Sequence, residues 1–306
     1  TIDFSPAGTI EHDVTNTIKI IIINVKLNFI YLFLKMLYFV STPIGNLNDI
    51  SLRAIDVIRS SDYLYAEDTR NIKKLLNFVN LKIKSKSFHE HNENTTSLEI
   101  IKQLKNGKIV SIASDAGTPA ISDPGYKLIQ LCIKENIKYT LIPGPSSVLS
   151  SLVMSGLSPD KFSFYGFIPR KAGDQIRLFE TLSNDVKTSI FFESPKRVRK
   201  SLINLQKFVG INRSISLCKE MTKIHENVFR GKISEIIKDI ENDQVNLRGE
   251  LVVVLEGANN KRKDLNINAQ IKKEFLSKLS ASDSAKLISM LTGKNKRDIY
   301  KKLIEK

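Results

Sequence analysis

Residues 108–126 read KIVSIASDAGTPAISDPGY, and this stretch constrains the chain more than any other. An apolar run from Ile109 to Ala113 stops at Ser114-Asp115. A turn-rich segment follows, with Gly117, Pro119, Pro124 and Gly125. Tyr126, Leu128, Ile129, Leu131 and Ile133 then resume at helical spacing. The pattern predicts strand, loop and helix, with a carboxylate at the strand's end. In open α/β sheets ligands sit beyond the carboxyl ends of strands. Asp115 can accept hydrogen bonds there, and Gly117 lets backbone approach closely. An ordinary turn that uses Asp and Gly as turn formers accounts for the same residues.

The pattern recurs. Strands are predicted at 37–41, 62–66, 83–88, 109–113 and 138–142. Helices are predicted at 50–60, after Glu67-Asp68-Thr69-Arg70, and at 95–106, 123–135 and 146–155. Asp68 or Thr69 serves as a cap for the second helix, and Asn94 or Thr95 for the third. Strands alternating with helices imply parallel pairing. Gly156–Pro159 reads as a hinge. Beyond it, strands at 162–167, 187–192, 215–219, 227–232 and 250–256 cluster enough to suggest a mixed sheet, partly antiparallel. A helix is predicted at 173–183, and Pro195 suits the first turn of another. Residues 258–268 read as a polar linker. Three short helices follow at 271–279, 282–291 and 295–304, with Ser282 and Asn295 as caps. They fit either a helix-turn-helix or a small basic appendage. The expected organisation is an extension at 1–35 that is upstream or non-native sequence, an α/β domain at 36–155, a second at 156–258, and a linker with a basic helical tail at 259–306. In the extension, the apolar run 17–34 is broken by Lys19, Asn24, Lys26 and Asn28, which argues against a membrane span.

Two other strand ends carry short loops, Ser41-Thr42-Pro43-Ile44-Gly45-Asn46 and Pro143-Gly144-Pro145-Ser146-Ser147. Three such loops suit one crevice. No two glycines are spaced G-x-G and no Walker A pattern occurs, so a nucleotide-like ligand has to be held without a diphosphate grip. The formal net charge is +15, and residues 261–306 hold 13 Lys/Arg against 5 Asp/Glu. That balance favours a polyanion such as RNA. Compositional drift toward Lys, Ile and Asn is the plainer account. Cys132 and Cys218 lie in apolar stretches and read as buried thiols of a reducing, cytoplasmic compartment. The run His89-Glu90-His91-Asn92-Glu93 fits no standard metal-ligand spacing.

Taken in order, STPIGNLNDISLRA, AEDTR, SDAGTPAISDPG, IPGPSS, GFIPRK, FFESPKR and RGELVVVLEG resemble the tetrapyrrole methylase superfamily. More narrowly they resemble the ribosomal RNA small subunit methyltransferase I family, over about Met36 to Gly257. The resemblance implies a two-domain α/β fold, each domain a sheet flanked by helices, with the cofactor in the crevice between them and a small C-terminal helical segment. It implies methyl transfer from S-adenosylmethionine to the 2'-hydroxyl of a cytidine in 16S rRNA, by a homodimer. By the same analogy Pro43, Gly45, Asp115, Gly117, Thr118, Ser146 and Ser147 form the cofactor pocket, closed by Phe192, Met221 and Gly249. Arg70, Arg170, Lys171, Lys196 and Arg197 become candidate RNA contacts, though solvated surface accounts for such residues as readily. Glu67, His91 and Glu220 are candidate bases by type and approximate position. Two other functions fit the same residues: a methylase of a tetrapyrrole or other small molecule, and a non-catalytic RNA-binding protein.

Overall fold

The computed structural model describes residues 35–259, 269–292 and 295–304. Residues 1–34, 260–268, 293–294 and 305–306, which include nearly all of the expected extension and most of the expected linker, lie outside the described residues.

Strands β1 (Leu37–Val40), β2 (Tyr63–Ala66), β3 (Ser85–Ser87), β4 (Val110–Ala113) and β5 (Tyr139–Ile142) form one sheet. Its order is β3-β2-β4-β1-β5, and every pairing is parallel. Successive side chains of a strand point to opposite faces. Tyr38 and Val40 therefore pack with Val57 and Ile58 of α1 (Leu52–Ser60) and with Ile72 and Leu76 of α2 (Thr69–Phe78). Leu37 and Phe39 pack on the other side, against Ile100 and Leu104 of α3 (Glu93–Lys105) and Leu128 of α4 (Tyr126–Lys134). Burial on both faces explains why the inner strands read as continuous apolar runs.

Helix α5 (Ser147–Ser155) joins the halves of the molecule. It ends on Gly156, whose φ of 73° is left-handed, as a helix C-cap favours. The second sheet holds β6 (Phe162–Phe167), β7 (Thr188–Glu193), β8 (Ser214–Lys219), β9 (Asn227–Lys232) and β10 (Leu251–Leu255). Its order is β6-β7-β10-β8-β9, parallel only between β6 and β7. Val148 and Leu152 of α5 cover one face, against Ile190, Cys218, Val252 and Val254. Helices α6 (Ala172–Asn184), α7 (Pro195–Val209) and α8 (Ile233–Glu241) cover the other, through Phe179, Leu202 and Ile236. At the C-terminus, α10 (Ala281–Thr292) packs on α11 (Lys296–Ile304) through Ala285, Ile288, Ile299 and Leu303, with Phe275 of α9 (Ala269–Lys278) beside them. No helix among the described residues is long and apolar enough to cross a membrane.

Several local expectations need correction. Helix α3 starts two residues earlier than expected, and neither Asn94 nor Thr95 caps it. Asn92 precedes it, with its side chain spent on the N–H of His89 and the carbonyl of Ser87. Helix α4 begins only at Tyr126, because Asp123-Pro124-Gly125 stays in the loop. Ser280 rather than Ser282 caps α10, accepting the N–H of Asp283 at 3.1 Å. Asn295 does cap α11. Helix α8 was not expected at all, although Ile233, Ile236, Ile237 and Ile240 recur at helical spacing on its buried face.

Candidate active site

β4 is the middle strand of the parallel sheet, and β1 beside it crosses over to β2 on its far side. The order reverses here, so the loops after these strands diverge and leave a crevice. Two of the loops are stitched together. Thr42 and Gly117 exchange backbone hydrogen bonds of 2.9 and 3.0 Å. The Thr42 hydroxyl donates to the Ser114 carbonyl at 2.9 Å, and the Ser114 hydroxyl to the Gly117 carbonyl at 2.6 Å. The loop after β5 presses on the same place: a Cβ at Gly144 would lie 2.9 Å from that of Ser41.

A pocket of about 420 Å³ opens between these loops and the second sheet. Asp115, Gly117, Thr118, Ser146 and Ser147 line it from one side, and Phe192 and Gly249 from the other. These are sequence-predicted residues brought together from positions far apart in the chain. Phe192 is held edge-on by Phe164 and Phe167, with ring centres 4.9 and 5.3 Å away, and Phe167 shares the pocket wall. Gly249 has φ of 106°, and a Cβ there would fall 2.4 Å from the Glu220 carboxyl carbon. Only glycine suits this position.

Pro43, Gly45 and Met221 do not line the pocket. Pro43 is buried in the stitched loop. Met221 is packed between Ile44, Val148 and Val252 beneath the pocket. Gly45 lies against the strained turn after β8, where Glu220 and Thr222 have φ of 50° and 66°. A Cβ on Gly45 would meet the Lys223 side chain at 2.4 Å. The neighbouring Asn46 N–H donates to the Thr222 hydroxyl at 3.2 Å. These contacts link the two halves of the molecule.

Asp115 is already partly engaged. It accepts the Asp68 N–H at 2.8 Å and the Asn71 amide at 3.0 Å, tying the end of β4 to the start of α2. Asp68 caps α2 through the Arg70 N–H and pairs with the Arg70 guanidinium at 2.6 Å. Of the candidate bases, His91 is exposed and does not line the pocket; it stacks edge-on with His89. Glu220 accepts the Glu250 N–H at 2.8 Å and pairs with Lys223 at 2.9 Å. Burial raises its pKa, but these partners outweigh burial and hold the carboxyl below its ordinary value. Glu67 is half-buried at the end of β2. Its pKa is raised, first by burial and then by Asp115. It lines a separate cavity of about 10 Å³ behind the pocket.

Arg170, Lys171 and Lys196 are exposed. Arg197 is not free for a substrate: it donates to the carbonyls of Ile168 and Pro169 and pairs with the buried Glu193 at 3.3 Å. Sequence reasoning passed over two residues. Asp123, expected at the start of a helix at 123–135, lines both the pocket and the cavity behind it. Glu93 looked like part of a solvated loop. It is 6% exposed and accepts the N–H groups of Gly125 and Lys127 at 2.9 and 3.3 Å, anchoring the loop that carries Asp123.

A parallel and a mixed sheet joined by one helix, with a pocket between them, define a two-part α/β fold. Residues 36–237 match the profile of the Tetrapyrrole (Corrin/Porphyrin) Methylases. Among solved structures, a diphthine synthase superposes with a TM-score of 0.56 at 15% identity, covering 72% of this chain and 90% of that one. A cobalt precorrin-4 methyltransferase gives 0.52 at 15%, covering 72% and 95%. At such identities the likeness is one of fold. Sequence relatives are nearer. The ribosomal RNA small subunit methyltransferase I of Thermotoga maritima is 43% identical over 221 residues, 72% of this chain and 98% of that protein. The protein of that name from Streptococcus pyogenes serotype M3 is 36% identical over 269 residues, 86% of this chain and 93% of its own length. The chain belongs to the ribosomal RNA small subunit methyltransferase I family of tetrapyrrole methylases.

Proposed function

We propose that the chain is an S-adenosylmethionine-dependent methyltransferase acting on the 2'-hydroxyl of a cytidine in 16S rRNA. The observation that supports this most is the composition of the 420 Å³ pocket in a chain of this family. Its walls are apolar at Phe167, Phe192, Leu251 and Val252, which suits an adenine ring. Its other end is polar, with Thr118, Ser146, Ser147 and Asp115, which suits an amino-acid moiety. When bound, S-adenosylmethionine supplies a methyl group on a sulfonium, whose leaving group is a neutral thioether.

In this reading the two units, residues 36–155 and 156–258, hold the cofactor between them. Ser146 and Ser147 offer hydroxyl and N–H groups at the start of α5, where the helix end favours a carboxylate. The aromatic wall excludes water and orients the acceptor oxygen, the main contribution a protein makes to an in-line transfer. Arg70, Arg170, Lys171 and Lys196 contact phosphates and position the RNA, joined by the lysines of α9–α11. The active form is a homodimer, which sedimentation of the purified protein checks.

Labelled S-adenosylmethionine, offered with small ribosomal subunits, naked rRNA or a precorrin-type substrate, tests the reading. Label in the ribose of a 16S cytidine is the expected result. Label only in the precorrin would make the protein a small-molecule methylase, and no label anywhere an RNA-binding protein.

A further inference from the structure

The loop between β4 and α4 is built under strain. Gly117, Ala120, Ser122 and Gly125 all have positive φ, between 66° and 138°, and two of them carry side chains. Such positions persist only where the surroundings over-determine them. Here the Thr42–Gly117 stitch holds one end, and the buried Glu93 carboxylate holds the other through the Gly125 N–H. The result is the placement of Asp123. It lines the large pocket on one side and the 10 Å³ cavity on the other. Glu67 lines that cavity but not the pocket. Its size admits about one water molecule.

No protein donor among the described residues reaches the carboxyl of Asp123 or that of Glu67, in contrast to Asp115, both of whose oxygens are occupied. Asp115 lies close enough to the pair to act on both carboxyls. His89 lies near Glu67 and partly offsets this, while Asp68 adds to it. Glu193 and Glu250 face the pocket from the second sheet. Two half-buried carboxyls without donors, lining one cavity beside a third carboxyl, hold one proton between them more readily than two full charges. Consistently, burial first, and then Glu67 and Asp115, push the Asp123 carboxyl up to about 7. A proton acceptor works best when its pKa lies near the working pH.

We propose that Asp123 is the catalytic base of the methyl transfer, with Glu67 behind it as a positioning residue linked through the water-sized cavity. The inference rests on the function proposed above. As the substrate's hydroxyl oxygen bonds to the methyl carbon, the carbon–sulfur bond breaks and its electron pair stays on sulfur. The hydroxyl proton passes to the Asp123 carboxylate and from there to solvent, so one proton is released per turnover. His91 and Glu220 take no part.

Two measurements test this together. The first is single-turnover methylation of small ribosomal subunits across a pH series. Asp123→Asn should lose about a hundredfold or more in rate, together with the pH limb near neutrality seen in the parent. Glu67→Gln should keep the limb but move it to lower pH, because removing a neighbouring negative charge eases ionisation. The second needs no turnover. Carboxyl NMR of protein labelled at aspartate should show one resonance titrating near neutral pH, absent in Asp123→Asn and shifted down in Glu67→Gln. Far-UV circular dichroism of both variants should match that of the parent, which shows that they are folded. A resonance titrating as an ordinary aspartate, or an Asp123→Asn rate within about tenfold of the parent, overturns the assignment. So does a titration displaced by added magnesium, which would make the cluster a cation site. A parent that methylates no small subunit overturns the proposed function instead.

Discussion

Asp123 and Glu93 show how single residues define this site. A carboxyl raised to about 7 from its ordinary 3.8 holds its proton more tightly in the folded chain than in the unfolded one. Ionising it costs the folded state, and the cost grows as pH rises between those values and is complete above the upper one. Asp123→Asn, uncharged throughout, should raise the unfolding midpoint more at about pH 8 than at about pH 5. An equal gain at both would show that the carboxyl is not perturbed. Glu93→Ala leaves the buried Gly125 N–H without its acceptor. Denaturant unfolding should record a loss of about 1–3 kcal/mol. Gly249→Ala places a side chain at φ of 106° against Glu220. It should cost about 1–3 kcal/mol and weaken cofactor binding measured by calorimetry; unchanged affinity would mean that the pocket wall tolerates a shift there.

Among the elements, α5 carries the most weight for its length. It follows β5 of the parallel sheet, yet its buried face belongs to the second sheet. Leu152 is 3% exposed between Val148 and the strands β7, β8 and β10. Leu152→Ala should lower stability by about 2–4 kcal/mol. Because Ser146 and Ser147 sit at the same helix's start, cofactor affinity should fall with it. A stability loss with full affinity would show that the pocket end of α5 is held independently. Most elements were legible because apolar periodicity is a local signal. The miss at α8 has a local cause too: its four isoleucines are only part of a nine-residue segment between two strands, easily read as a connection. Strand β3 shrank to three residues because its side chains are not buried and little but backbone pairing holds it.

At the scale of the molecule, charge is the dominant property. Residues 261–306 contribute +8 (13 basic less 5 acidic) of the +15 total. Removing them should weaken affinity for 16S rRNA and flatten its dependence on salt, since fewer counterions are released. Affinity for S-adenosylhomocysteine should barely change, because no described residue of this segment lines the pocket. A salt slope identical to that of the full chain would exclude the segment as an RNA arm.

The sequence by itself determined the alternation of strands and helices, the parallel first sheet, the mixed second one and the family, because these follow from periodicity and from ordered motifs. It also placed Asp115 and Ser146 at strand or helix ends where a ligand is expected, and the family resemblance added Phe192. Only the tertiary structure decided that Pro43 and Met221 support the pocket without lining it, that Arg197 is bonded internally, and that Asp123 separates the pocket from Glu67. Each of these depends on contacts between segments remote in the chain. A turn-forming Asp and a catalytic one have the same neighbours in sequence, and differ in which other carboxyls the fold brings to them and how much water it takes away.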